Sequence, residues 1–270
     1  MVKRQINLAE KYLEKSSSYL NLLEDGIEII NKNQSVILST YENEIVGTVI
    51  CDLTKKSVSD HFGTKIKVTI DAHYLIKRED KHSSSGKMTG YDSRSNRTIS
   101  PTWSYNYKDK NLGPDMAKIY DNDGNTLGNW IYECEKFYLP DIALSYDEFK
   151  SNVTIEDSKI IGAVFCTKNY KATGHTDNNR SKWAIGYVYD ERIVENGYFI
   201  YPEYGIAIEM SSNSMWCWLP QAVHGTTDFS NTKSNNRYTA VITLTERTAN
   251  TLEKKENLNN WMNFFNFLIL

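Results

Sequence analysis

KATGHTDNNRSKWAIGYVYD, residues 171–190, decides how the rest of the chain reads. Its second half is a run of Ala, Ile, Val and Tyr next to polar clusters, the composition of a short β-strand. Its first half sets His175 and Asp177 two apart in a small, polar neighbourhood. Side chains alternate across an extended strand, so residues i and i+2 project together from one face. His175 and Asp177 therefore point into whatever that face encloses.

Similar runs surround this one. SKIIGAVFCTKNY (158–170), GYFIYPEYGIAIEM (197–210), SMWCWLPQAVHG (214–225) and RYTAVITLTE (237–246) are short and β-rich, and Gly, Asn, Asp and Ser clusters separate them. This spacing predicts a mainly β protein with a jelly-roll core, two sheets facing across a narrow interior. Upstream, SVILSTYENEIVGTVICDL (35–53) and KIKVTIDAHYLIKR (65–78) also read as strands. Residues 1 to about 32 read as an amphipathic helix, with Ile6, Leu8, Tyr12, Leu13, Tyr19, Leu20, Leu23 and Ile27 near helical spacing. Residues 113–140 predict one or two further helices, closed by Pro140. Between them, residues 79–103 read as a long polar loop, a feature that in a compact domain is usually functional.

A chain of 270 residues is within the range of a single all-β domain with helical additions. The expected division is 1–150 for helices, supporting strands and a substrate-side loop, 151–246 for the β core with its site, and 247–270 for a C-terminal extension. With 40% hydrophobic residues the chain can bury a sizeable core, which excludes disorder as its default. The net charge of −3 creates no global field toward nucleic acid or membrane, so any polyanion site must be a local patch. Cys51, Cys134, Cys166 and Cys217 are scattered without a CxxC pair, as expected of free thiols rather than a zinc site or a disulfide scaffold. Residues 1–15 lack the apolar core of a signal peptide, which predicts an intracellular protein. The apolar ending WMNFFNFLIL is too short to span a bilayer as a helix and reads as a segment docked on the fold.

Within the β-rich half, His224 follows His175 in WLPQAVHGTTD, and Arg237 opens the last strand with Thr239 on the same face. Two histidines and one carboxylate in this order match the facial set that holds non-haem Fe(II) and leaves coordination positions open. Those positions suit a bidentate 2-oxo acid and dioxygen. If the 2-oxo acid is 2-oxoglutarate, its far carboxylate needs a partner, and the guanidinium fork of Arg237 fits one with two parallel hydrogen bonds. Thr239 adds a hydroxyl donor.

HTDNN (175–179), NGYFIYPEYGIAIEM (196–210), HGTT (224–227) and NRYTAVITL (236–244) together resemble the Fe(II)- and 2-oxoglutarate-dependent dioxygenases. Within that family they look like the TET/JBP-like group, which oxidises methyl groups of nucleic-acid bases. The resemblance covers roughly residues 160–245. It implies a distorted double-stranded β-helix, with His175, Asp177 and His224 on iron and Arg237 on 2-oxoglutarate. It also implies DNA or RNA as substrate, with 5-methylcytosine or thymine as the base. The chain departs from the group's pattern in Arg-x-Thr where Arg-x-Ser is common, and in SSNSMWCWLPQ before the second histidine.

Residues 62–97 hold eight Lys/Arg against four Asp/Glu, with Tyr91 inside and Trp103 close by. Basic and aromatic residues together can grip phosphates and stack a flipped base, which makes Arg94 and Arg97 substrate-binding candidates. Asn178 and Asn179 join them, although their simpler role is to close the turn after the His-x-Asp strand. Two other readings stay open: a 2-oxoglutarate hydroxylase of a protein side chain or small molecule, and a non-catalytic jelly-roll binding module. The Trp216, Cys217, Trp218 cluster reads as core packing, and Glu203 as part of a turn.

Overall fold

A computed structural model describes residues 2–5, 27–32, 34–40, 44–71, 76–77, 85–93, 99–101, 114–144, 163–170, 172–192, 194, 197–227, 236–251 and 253–254. In chain order the elements are β1 (Val2–Gln5), β2 (Glu28–Ile30), β3 (Val36–Ser39), β4 (Ile45–Ile50), α1 (Lys56–Asp71), β5 (Ile76–Lys77), β6 (Ser85–Ser93), β7 (Ile99–Pro101) and α2 (Pro114–Tyr138). The β-rich half follows with β8 (Ala163–Lys168), β9 (Ala172–His175), β10 (Ala184–Asp190), β11 (Tyr198–Tyr201), β12 (Ile206–Glu209), β13 (Ser214–Trp218), β14 (His224–Thr226) and β15 (Arg237–Thr243).

Among the described residues these strands form two sheets. The larger runs β1-β3-β4-β13-β10-β15-β8-β6-β5, with β7 paired to β6, and the smaller runs β2-β12-β11-β14-β9. Strands β8 to β15 divide four and four between the sheets, β8, β10, β13 and β15 in one and β9, β11, β12 and β14 in the other. This is the jelly-roll core expected from the run of short strands. Apart from the parallel β1–β3 pair, the larger sheet is antiparallel, with Gly186 opposite both Trp216 and Val241, and Asp190 opposite Arg237.

The helices cover the outer face of the larger sheet. Ile66 and Ile70 of α1 and Leu127, Ile131 and Tyr132 of α2 join Ile185, Tyr187, Met215, Cys217, Tyr238, Ala240 and Ile242 in one buried cluster. Trp130 stacks on Phe62 at 3.9 Å and meets Tyr187 edge-on at 4.8 Å, while the Tyr187 hydroxyl and Ser59 share a 2.8 Å hydrogen bond. Helix α1 lies close to β10 because residue 63 is glycine: a Cβ there would stand 2.3 Å from the Tyr189 ring.

Three expectations are corrected. Residues 2–5 form a strand rather than the start of a helix, because pairing in parallel with β3 gives this backbone its hydrogen-bond partners; β2 likewise pairs with β12. Residues 65–71 belong to α1, not to a strand. Their β-branched side chains favour strands locally, but Ile66 and Ile70 are four apart and both fully buried, and packing overrides a weak propensity. The polar stretch 79–103 is not all loop, since β6 pairs with β8 along six residues and β7 pairs with β6. The predicted strands at 36–39 and 45–50 and the helix at 114–138 are present. The C-terminal segment 261–270 lies outside the described residues.

Candidate metal centre and its cavity

His175 ends β9 and His224 begins β14, and the two are direct partners across that antiparallel pair. Their rings come within 4.5 Å, centroid to centroid. Asp177 lies just past the strand end, where its N–H donates to the Pro220 carbonyl at 2.8 Å. That bond ties the His-x-Asp loop to the turn before β14. One carboxylate oxygen of Asp177 then sits 3.7 Å from His175 Nε2 and the other 3.4 Å from His224 Nε2. One ligand atom from each residue falls within 4.8 Å of the other two.

The tautomer of His224 follows from its surroundings. Its Nδ1 lies 2.9 Å from the Ala222 carbonyl, which can only accept, so Nδ1 carries a proton and Nε2, on the side of Asp177, is the nitrogen that could ligate a metal. Phe199 stacks on the same imidazole at 5.7 Å, and Trp218 packs at 5.7 Å from another side. Two imidazoles and a carboxylate, with one ring fixed by a backbone carbonyl, are a donor set that fits a divalent transition metal.

Behind the triad lies a cavity of about 240 Å³, the scale of a small organic acid. Phe165, Phe199, Trp216, Trp218 and Val241 make its apolar walls, and Arg237, Thr239 and Thr167 are among its polar lining. Thr239 and Thr167 are opposite each other on β15 and β8 and share a short hydroxyl hydrogen bond. Arg237 is 3% exposed and is gripped by Asp190, with Nε donating to Oδ1 at 2.8 Å and Nη2 to Oδ2 at 2.9 Å. Nη2 also donates to the Met210 carbonyl at 2.7 Å, and Nη1 to that of Gly197 at 3.3 Å. Burial raises the Asp190 carboxyl above the usual carboxylate range, opposed by the Arg237 fork.

The structure therefore brings His175, Asp177, His224, Arg237 and Thr239 around one cavity. Asn179 also lines it, while Asn178 is exposed and its carbonyl accepts from the Glu246 N–H. Arg94 and Arg97 lie outside the described residues. Sequence reasoning missed Asp190 and Thr167, which register alone identifies, and it gave Trp216 and Trp218 only a packing role. Cys217, between them, faces the helix side and joins the outer core, while Trp216 and Trp218 face the cavity. Glu203 lies in the 3-10 turn Pro202–Tyr204, closed by Gly205 in the left-handed region. None of the four cysteines is in a disulfide.

No protein-family model matches the chain, and no curated protein matches its sequence. Solved structures do match its fold. NgTET1 in complex with 5mC DNA superposes with a TM-score of 0.58 at 10% identity, over 88% of this chain and 93% of that one. An oxidoreductase of the 2OG-Fe(II) oxygenase family from Burkholderia pseudomallei gives a TM-score of 0.44 at 10% identity, over 89% and 94%. A prolyl hydroxylase from Trichoplax adhaerens, in complex with a hypoxia inducible factor peptide fragment, gives 0.41 at 10% identity, over 75% and 85%. The chain thus shares the jelly-roll fold seen in the NgTET1 structure.

Proposed function

We propose that this protein is an Fe(II)- and 2-oxoglutarate-dependent oxygenase, and that its substrate is the methyl group of a nucleic-acid base, 5-methylcytosine or thymine. One observation carries the oxygenase reading: His175, Asp177 and His224 converge beside a cavity that Arg237 and Thr239 also line. A dicarboxylic 2-oxo acid has the two ends such a site needs, a chelating end for the metal and a far carboxylate for the guanidinium.

Iron bound with 2-oxoglutarate and dioxygen supplies the oxidising power to hydroxylate a C–H bond, one oxygen atom entering the product and the other the succinate that remains after loss of CO2. The chain's own residues do the rest. Asp177 and the two imidazoles fix the metal's position. Asp190 and the Met210 and Gly197 carbonyls hold the Arg237 guanidinium at that end of the cavity, so its positive charge is in place before a carboxylate arrives, and Thr239 adds its hydroxyl. Phe165, Phe199 and Trp218 exclude water from the site, which strengthens each of these electrostatic contacts. The base substrate is supported by the likeness to a fold solved with 5mC DNA and by the basic and aromatic residues between 62 and 97.

The test is an anaerobic titration with Fe(II) and then 2-oxoglutarate, followed optically, and then succinate release with methylated DNA. A metal-to-ligand charge-transfer band and DNA-stimulated succinate release are expected, and both should vanish in His224→Ala or Asp177→Ala. A folded protein with no band would overturn the oxygenase reading. A band together with succinate release that methylated DNA does not stimulate would leave the oxygenase in place and remove the base.

A further inference from the structure

Asp177 stands beyond the end of a strand, and no sheet ladder fixes it there. Strand β9 stops at His175, and β10 opens only at Ala184. Thr176 and Asn178, on either side of Asp177, are exposed. The backbone of such a loop must find its partners outside the sheet. Several of them come from one later stretch. The Asn178 carbonyl accepts from the Glu246 N–H at 3.1 Å, the Arg180 N–H donates to the Leu244 carbonyl at 2.8 Å, and Asn179 pairs with Thr245 in an isolated antiparallel bridge. The turn before β14 holds the other side. Its Pro220 carbonyl accepts from the Asp177 N–H, and Gln221 Nε2 donates to the Asn179 carbonyl at 2.8 Å.

The later stretch is itself anchored. It follows β15 directly and turns into helix at 246–251 and 253–254. Thr245 caps that helix, its hydroxyl oxygen accepting from the Thr248 N–H at 3.2 Å. Thr248, Ala249 and Thr251 are buried. The Arg180 side chain then closes the arrangement. Its Nη1 donates to Glu246 at 2.8 Å and its Nη2 to Glu253 at 2.9 Å. Positions seven apart are about two helical turns apart, so both glutamates lie on one face, and a planar guanidinium reaches both at once. A lysine ammonium, a point charge, has no such fork.

We propose that residues 244–254 form a clamp that holds Asp177 in ligating position, and that Arg180 is its positioning residue. The proposal rests on the metal-binding part of the oxygenase reading above. Two partly exposed ion pairs add little to the stability of a fold. Three residues from a proposed metal ligand they act on the freedom of the loop instead. A loop that is ordered beforehand has less freedom to lose when the ion arrives, so the ion binds more tightly. Because β15 carries Arg237 and Thr239, one continuous stretch bears both the carboxylate end of the cavity and the clamp on its metal end.

The experiment titrates the full chain with Co(II) and follows the d–d absorption, whose position and intensity report the ligand geometry. Arg180→Ala should weaken Co(II) binding by about three- to tenfold, within the combined contribution of two exposed ion pairs, and should shift the band. Glu246→Gln together with Glu253→Gln breaks the clamp from the other side and should do the same, with Arg180→Lys in between. Where Arg180→Ala folds poorly, the double variant decides. The difference from wild type should narrow as salt is raised to about 1 M, where the screening length is about 3 Å. Lys56→Ala, which removes an exposed pair with Asp60 on α1, should change neither affinity nor band. Wild-type affinity and an unshifted band in the clamp variants would overturn the proposal and leave the metal centre in place. An equal loss in Lys56→Ala would overturn it too, as a general effect of surface charge. No Co(II) binding by the wild-type protein would overturn the metal centre and the clamp together.

Discussion

The two faces of the larger sheet carry opposite kinds of residue on the same strands. Facing the helices, Ile185, Tyr187, Met215, Cys217, Tyr238, Ala240 and Ile242 alternate along β10, β13 and β15 into a closed apolar core. On the cavity face the intervening positions are Gly186, Asp190, Trp216, Trp218, Arg237, Thr239 and Val241. One face is complete without a ligand. The other holds a buried ion pair, Arg237 with Asp190, an arrangement costly to bury and one that places charge beside the cavity. A period of two residues separates the part of the molecule that maintains the fold from the part that does chemistry.

The contrast can be broken from either side. Asp190→Asn leaves the Arg237 guanidinium buried without its counter-charge, a change expected to cost about 3–5 kcal/mol. The loss should be partly restored by 2-oxoglutarate, whose carboxylate replaces the missing charge. Thermal unfolding of the Zn(II)-loaded variant with and without 2-oxoglutarate measures this, and a stabilisation by ligand no larger than that of the wild type would contradict it. Ile242→Ala, on the opposite face, is expected to cost about 2–5 kcal/mol through lost burial and a cavity. No ligand should recover that loss, and affinity for 2-oxoglutarate should stay near the wild-type value in the same titration.

The smallest effect is at the rim. Lys67 of α1 pairs with Glu191 just after β10, and with a second bond from Asn236 this holds the Glu191 carboxyl below its ordinary range. A lowered carboxyl stabilises the fold above the normal glutamate pKa near 4.3 and loses that contribution as pH falls through the folded value. Both side chains are partly exposed, so Lys67→Met should cost less than about 1 kcal/mol at pH 7. The difference from wild type should shrink toward zero below pH 4. A difference that persisted in acid would assign the effect to packing of the lysine stem.

What the chain revealed before its structure was known follows from the distance each inference had to cross. His175, Asp177, His224, Arg237 and Thr239 were readable because strand alternation is local and their order alone implies one interior. Asp190 was not, since its partner is 47 residues away and only the antiparallel register of β10 with β15 sets them opposite. Residues 65–71 misled for the reverse reason. Their Val, Ile and Thr content is a local signal, while the burial that makes them helical depends on a sheet formed by later sequence. Trp216 and Trp218 fall between these cases, their alternation with Cys217 readable but the cavity they line visible only in three dimensions.

The placement of the triad and the arginine has one more consequence. His175 and His224 belong to the smaller sheet, Arg237 and Thr239 to the larger one. A molecule that reaches from the imidazoles to the guanidinium is then a cross-brace between two sheets. Loading the site and stiffening the sandwich become a single event, and release requires the two layers to breathe apart. Amide exchange in β9 and β14 should therefore slow with occupancy in step with β15, although no backbone hydrogen bond joins those strands among the described residues.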